Sequence, residues 1–166
     1  MFHKVAPKTL GENVFSLIGD KWMLITAGSR ERCNTMTASW GGLGVIWGAP
    51  AATCYIRPQR YTKEFVDREE YFTLAFFGEE YRKALALCGA KSGREVDKVK
   101  ECGFTVQAAE CGAPYFDQAE LVLVCRKRFA QPMDPANIPQ DVKEKWYPQQ
   151  DYHTMYIGQI VEVLAR

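Results

Sequence analysis

The run Asn34-Thr35-Met36-Thr37-Ala38-Ser39-Trp40 sets an amide, hydroxyls and a thioether beside one flat aromatic side chain. Two later runs bring cations: Arg57-Pro58-Gln59-Arg60-Tyr61-Thr62 and Ser92-Gly93-Arg94-Glu95-Val96-Asp97-Lys98. Small residues let backbone approach a planar ring, and amides and hydroxyls can bond to its polar edge. An aromatic partner such as Trp40 adds about 1 kcal/mol beyond the area it buries. Arginine and lysine, for their part, make charge-assisted bonds to a phosphate dianion. The three runs therefore suit a flat, phosphorylated ligand. Asn34, Met36, Thr37, Ala38, Ser39 and Trp40 stand at the ring end, and Arg60, Thr62, Ser92, Arg94 and Lys98 at the phosphate end. Thr62 and Lys98 rank ahead of Arg94, which can equally face water.

Each of these residues also has a structural reading. Trp40 on a half-buried, curved strand would belong to a core. Thr62 and Ser92 stand where helix N-caps stand, and Arg60, Arg94 and Lys98 can be solvated surface charges. The two readings are compatible, because a helix N-terminus with free amides is itself an anion site. His153, one of two histidines, can bond a ligand ring or guide an incoming partner, and it can equally bond backbone at a strand entrance. Gly41-Gly42-Leu43-Gly44 is not a dinucleotide fingerprint, since Trp47 stands where the third glycine is required. There is no G-x-S-x-G, H-E-x-x-H or P-loop pattern, and no obvious catalytic carboxylate pair.

The elements that must hold these residues are mostly strands. Val14 to Thr26 reads as two strands, or one strand with a turn at Gly19-Asp20-Lys21, followed by a polar turn from Gly28 to Arg32. Met36 to Trp47 reads as one bulged, strongly curved strand, and Ala52 to Arg57 as another that ends before Pro58. Thr62 would cap a helix running to Glu70, with Tyr61 and Val66 as a hydrophobic staple. Tyr71 to Phe77 is a compact strand, and Glu79 to Cys88 an amphipathic helix. Ser92 and Glu95 form the S-x-x-E pattern of a capping box for a third helix ending near Glu101. Phe104 to Val106, Ala119 to Ala130 and Met155 to Leu164 read as strands, with a short helix around Val142 to Trp146. Runs of strand around a helical cluster give a mainly β or α+β barrel.

A chain of 166 residues fits one domain, expected to span residues 1–166. With 21 basic and 20 acidic residues the charge is +1, so no global field gathers nucleic acid or an anionic membrane, and any anion must be held locally. The first ten residues have no apolar run of signal length and no segment approaches a membrane span, which gives a cytoplasmic expectation. The six cysteines show no metal-site spacing and read as free, mostly buried thiols, Cys33 being the one beside the ligand-like run. His3 falls in a terminus expected to be mobile and carries no assigned role.

In order and approximate spacing, four groups of residues resemble motifs of the flavin reductase-like family: Asn34 to Trp40, Arg60-Tyr61-Thr62, Ser92-Gly93-Arg94 with Asp97-Lys98, and His153 with Tyr156-Ile157-Gly158. The resemblance covers about Leu10 to the C-terminus. It implies an FMN-binding split β-barrel, antiparallel and Greek-key, with a few short peripheral helices. It further implies a homodimer that passes electrons from NADH or NADPH, or from a protein donor, to flavin or another small-molecule or protein acceptor. The cofactor carries the reaction, no side chain acts as catalytic acid or base, and the residues named above together with His153 bind FMN. One departure stands out: many flavin reductases have an asparagine in the strand after the first helix, where this chain has Thr73-Leu74-Ala75-Phe76-Phe77. A flavoredoxin-like electron carrier reduced by a protein partner is therefore the second reading. A non-catalytic split barrel for another ligand is the third. Nucleic acid is a poor partner for a chain without basic excess or a lysine-rich strand face.

Overall fold

The computed structural model describes residues 1–166. Its strands are β1 (His3–Lys4), β2 (Met23–Gly28), β3 (Cys33–Ala38), β4 (Gly41–Ile46), β5 (Ala49–Ile56), β6 (Tyr71–Phe76), β7 (Val106–Ala108), β8 (Pro114–Phe116), β9 (Leu121–Pro132) and β10 (Thr154–Ala165). Four short helices accompany them: α1 (Tyr61–Arg68), α2 (Arg82–Ala90), α3 (Lys98–Glu101) and α4 (Gln140–Trp146). The main sheet is antiparallel and runs β3-β2-β6-β9-β10-β5-β4, with β1 on the far end of β10. β7 and β8 form a separate hairpin.

The strand order dictates the shape. β3 and β4 are at opposite ends of the hydrogen-bonded path, yet only Ser39 and Trp40 join them. Laid flat, six strand spacings of about 4.8 Å would separate these edges by roughly 29 Å. Three Cα steps of 3.8 Å cover at most about 11 Å. The sheet must curl until its edges meet, and they do: a Cβ on Gly41 would lie 3.1 Å from the Met23 methyl and 2.6 Å from the Thr53 carbonyl oxygen. Only a residue without a Cβ can start β4 at this seam.

Side-chain alternation then sorts two cores. Met23, Ile25 and Ala27 of β2, Phe72, Leu74 and Phe76 of β6, and Leu121, Leu123 and Cys125 of β9 fill the barrel. Leu24, Ala75, Val122 and Val124 point the other way, into a second cluster with Leu85, Phe104 and Phe116 under α2 and the β7–β8 hairpin. Strands covered on both faces read as continuous apolar runs. Two threonines inside them are satisfied locally: Thr26 and Thr35 hydroxyls are 2.9 Å apart across β2–β3, and Thr73 donates to the Pro114 carbonyl at 2.7 Å.

Several expectations need correction. Residues 14–20 are helical, ending in a π-helical turn over Ser16–Asp20, because the Asn13 side chain accepts from the Phe15 and Ser16 amides and thereby starts a turn. The apolar spacing of Val14, Leu17 and Ile18 is that of a helix face, and Leu17 and Ile18 are buried. The single strand expected from Met36 to Trp47 is two strands, broken at the seam. Thr62 lies inside α1 while Arg60 holds the cap position without a capping side-chain bond, and Tyr61 packs edge-on against Phe65 in place of the expected staple to Val66. The Ser92–Glu95 capping box does not form; Asp97 caps the shorter α3 through the Lys100 amide. The N-terminus pairs with β10, and β8 is a strand the sequence reading lacked. No helix is long and apolar enough to cross a membrane.

Candidate functional site

The seam residues reach one rim of the barrel, where the ends of β3 and β5, the start of β10 and the end of α4 converge. There Met36, Thr37, Ala38, Ser39 and Trp40 line an open cleft of about 570 Å³ together with Tyr55, Arg57, Gln59, Arg60, Trp146 and His153. Seven of the residues singled out from the sequence thus meet in one place: Met36 to Trp40, Arg60 and His153.

The cleft has aromatic walls. Trp40 and Trp146 pack edge to face at 5.1 Å, and Trp40 also meets the His153 ring at 5.1 Å. The two indoles stay partly exposed, at 38% and 44%. Ser39 makes no hydrogen bond within the chain, so its hydroxyl is free for a ligand, whereas Thr37 donates to the Leu85 carbonyl of α2.

The same cleft is lined by two arginines. Arg57 bonds the Trp146 carbonyl at 2.9 Å and the Asp151 carboxylate at 2.9 Å, and its guanidinium lies 5.0 Å from the Tyr147 ring centre. Gln59 donates to the same carboxylate at 2.8 Å. Arg60 differs: half-buried, it donates to the Gly89 carbonyl at 2.8 Å and forms no ion pair. Burial first, and Arg57 second, pull its pKa down. A desolvated guanidinium beside another cation and without a carboxylate favours an anionic ligand.

His153 is buried, and its Nδ1 lies 2.7 Å from the Tyr147 hydroxyl, whose other neighbour is the weakly accepting Met133 sulfur at 3.8 Å. The hydroxyl proton belongs on the better acceptor, Nδ1, which leaves the ring hydrogen on Nε2. No buried side-chain nitrogen or oxygen lacks a partner, and Nε2 makes no bond within the chain, so it is the atom open to the cleft. His153 therefore presents a donor there. Burial, reinforced by Arg57, pushes its pKa down to about 4 and keeps the ring neutral.

The remaining expected residues serve elsewhere. Asn34 is buried and donates to the Thr62 hydroxyl at 2.8 Å, joining β3 to α1. Lys98, 5% exposed, donates at 2.8 Å to both the Thr35 and Cys88 carbonyls, joining β3 to α2. Burial lowers it to about 8, so it is still an ammonium at neutral pH. Arg94 lies over Tyr61 and pairs with Glu64; Ser92 accepts from the Arg94 amide inside a turn. This turn needs Gly93, where a Cβ would fall 1.9 Å from the Asn34 side-chain oxygen. Asn34, Arg94 and Lys98 line a neighbouring pocket of about 590 Å³, and Thr62 and Ser92 do not line the cleft. Cys33 lines that same pocket, and burial raises its thiol to about 11. Sequence reasoning missed Tyr55, Arg57, Gln59, Trp146, Tyr147 and Asp151; only Arg57 and Gln59 lay in a run already marked.

The neutral histidine has a consequence for stability. Its folded pKa near 4 lies below the ordinary 6.5, so between these values the unfolded chain binds the proton and the folded one does not. Stability is full above pH 6.5 and falls as pH drops towards 4, by up to about 3 kcal/mol from this group. Urea titrations across that window should show a shallower loss in His153→Gln than in the parent; equal slopes would place the titration elsewhere.

The family model described as the flavin reductase like domain matches residues 15–166. Among solved structures the chain is similar to flavoredoxin from Methanosarcina acetivorans, at 22% identity and TM-score 0.70, over 88% of this chain and 68% of that one. It is similar to the FMN-binding protein from Thermus thermophilus with bound p-hydroxybenzaldehyde, at 20% identity and TM-score 0.71, over 98% and 80%. It is also similar to the NADH:FAD oxidoreductase of Streptomyces globisporus C-1027 in complex with NAD and FAD fragments, at 17% identity and TM-score 0.65, over 86% and 73%. No curated protein matches. The architecture is the split barrel of these relatives, and the chain belongs to the flavin reductase-like domain family.

Proposed function

We propose that the chain binds FMN in this cleft and acts as a flavin-dependent oxidoreductase, passing electrons from NADH or NADPH to free flavin or another acceptor. The observation that carries the reading is Arg60: a half-buried guanidinium without a counter-ion, lining a cleft that also has aromatic walls. Bound FMN would supply the redox chemistry, taking up hydride and passing electrons on. Arg60 would hold the phosphate, with Gln59 as a neutral donor beside it. Trp40 and Trp146 offer apolar faces to a planar ring, and Ser39 and the His153 Nε2–H offer donors to its acceptor edge. Asn34, Thr62 and Lys98 would act by fixing β3 against α1 and α2, and Ser92 and Arg94 by shaping the turn that covers them.

The departure at Thr73–Phe77 lies in and just after β6, where Thr73, Leu74 and Ala75 are fully buried and none lines the cleft. It bears on packing more than on substrate. A homodimer is supported by the open edge of β4 and its apolar tip, where Val45 is 77% exposed and Trp47 63%, and by Phe15, 88% exposed, which lines a pocket with Leu43 of β4. Edges and apolar patches of this kind are normally covered. Free thiols suit a reducing cytoplasmic setting.

Three measurements test this reading. Arg60→Ala should weaken FMN binding by roughly tenfold or more and riboflavin much less, since a charge-assisted bond contributes about 1.5–3 kcal/mol and only FMN has the phosphate; equal losses would move the phosphate elsewhere. Anaerobic mixing of the FMN-loaded protein with NADH or NADPH should bleach the flavin promptly; absence of bleaching with both would favour the flavoredoxin-like carrier. Sedimentation equilibrium should give twice the chain mass, and a monomer would remove the dimer.

A further inference from the structure

The buried cysteines include a pair that the cleft does not use. Cys88, in α2, is fully buried, while Cys102, just after α3, is half-buried. Their sulfurs lie 3.7 Å apart, in contact. Cys102 Sγ also lies 3.7 Å from the Ala84 carbonyl oxygen. Lys98 donates to the Cys88 carbonyl, and its charge acts on both thiols. The remaining thiols differ in setting: Cys54 and Cys125 are fully buried, Cys33 lines the pocket beside β3, and Cys111 is exposed.

We propose that Cys88 and Cys102 form an intramolecular disulfide when the chain meets a peroxide. Cys102 is the thiol a small oxidant reaches. Its sulfur attacks the O–O bond of hydrogen peroxide, becoming a sulfenic acid, and one water leaves with the thiol proton. The Cys88 sulfur, already in contact, then attacks the sulfenic sulfur: the S–S bond forms, the S–O bond breaks, and the hydroxyl departs with the Cys88 proton as a second water. The two thiols together lose two electrons and two protons, and the peroxide is reduced to two waters.

Burial raises the Cys102 thiol and pushes Cys88 up to about 12, so both sulfurs are mostly protonated at neutral pH. The reaction is accordingly slow, and contact selects the pair where acidity does not. The product ties α2 to the end of α3 covalently, across the segment that Lys98 otherwise holds by hydrogen bonds. That segment contains Gly89, whose carbonyl anchors Arg60, so the bridge would stiffen one wall of the cleft. The proposal does not rest on the flavin reading, and its test leaves that reading untouched.

The test uses the full chain, fully reduced and then treated with hydrogen peroxide. Remaining thiols are alkylated in denaturant, and the protein is mapped by mass spectrometry without reduction. The expected product has two fewer alkylated thiols than the six of the reduced chain, with fragments joining Cys88 to Cys102. Cys102→Ser should leave Cys88 alkylatable at the same dose, and Cys111→Ser should leave the bridge intact. Six alkylatable thiols after treatment, Cys102 carried on to sulfinic acid beside a free Cys88, or a bridge from Cys102 to Cys111 would each overturn the assignment.

Discussion

The two-residue crossing from β3 to β4 is the constraint on which the rest of the molecule depends. Because Ser39 and Trp40 cannot span a flat sheet, they force its outer strands together, and the barrel interior exists only because that closure holds. The crossing also determines where a ligand can go. A strand that ends abruptly at a seam leaves its last side chains at the rim, outside the hydrogen-bonded ladder. There Ser39 keeps a free hydroxyl and Trp40 keeps a third of its surface in water. Closure and site come from the same few residues.

That dual use explains what could be read in the chain beforehand. The strand Tyr71–Phe76 and the buried first part of Leu121–Pro132 announce themselves, because strands covered on both faces need unbroken apolar runs. The segment from Val14 to Asp20 does not, since its apolar residues fit either period and one amide, Asn13, tips the balance through two hydrogen bonds. The S-x-x-E pattern at Ser92 misleads for a tertiary reason. The turn has to lie on Asn34, which Gly93 allows, and helix formation yields to that contact.

Within the site, Thr37 to Trp40 were legible because contiguous residues reach the rim together. Arg57 and Tyr147 were not, because tertiary bonds, from Arg57 to the Trp146 carbonyl and from Arg57 and Gln59 to Asp151, bring the segment 146–153 over the end of β5. Composition likewise cannot distinguish a lysine aimed at a phosphate from one committed to two backbone carbonyls. Lys98 is the second kind, as its 5% exposure shows. It is also well suited to that work: a single ammonium meets two inward-facing carbonyls from different elements, which no neutral side chain of that length would do.

The electrostatics of the rim then point one way. A folded chain normally surrounds a desolvated charge with opposite charge or keeps it in water. Arg57 follows the rule through Asp151, whereas Arg60 follows it only in part, with one carbonyl and a like-charged neighbour. The nearby imidazole is kept neutral by burial and by Arg57, so it adds no further repulsion. Such an arrangement costs the fold some stability, and an anion of the right reach would offset the cost by supplying a counter-charge. An anion held at Arg60 would therefore couple binding to stability by mass action. The aromatic walls would add affinity for the rest of such a ligand without adding charge, so under the proposed function a molecule that is flat at one end and doubly negative at the other would suit the rim better than either part alone.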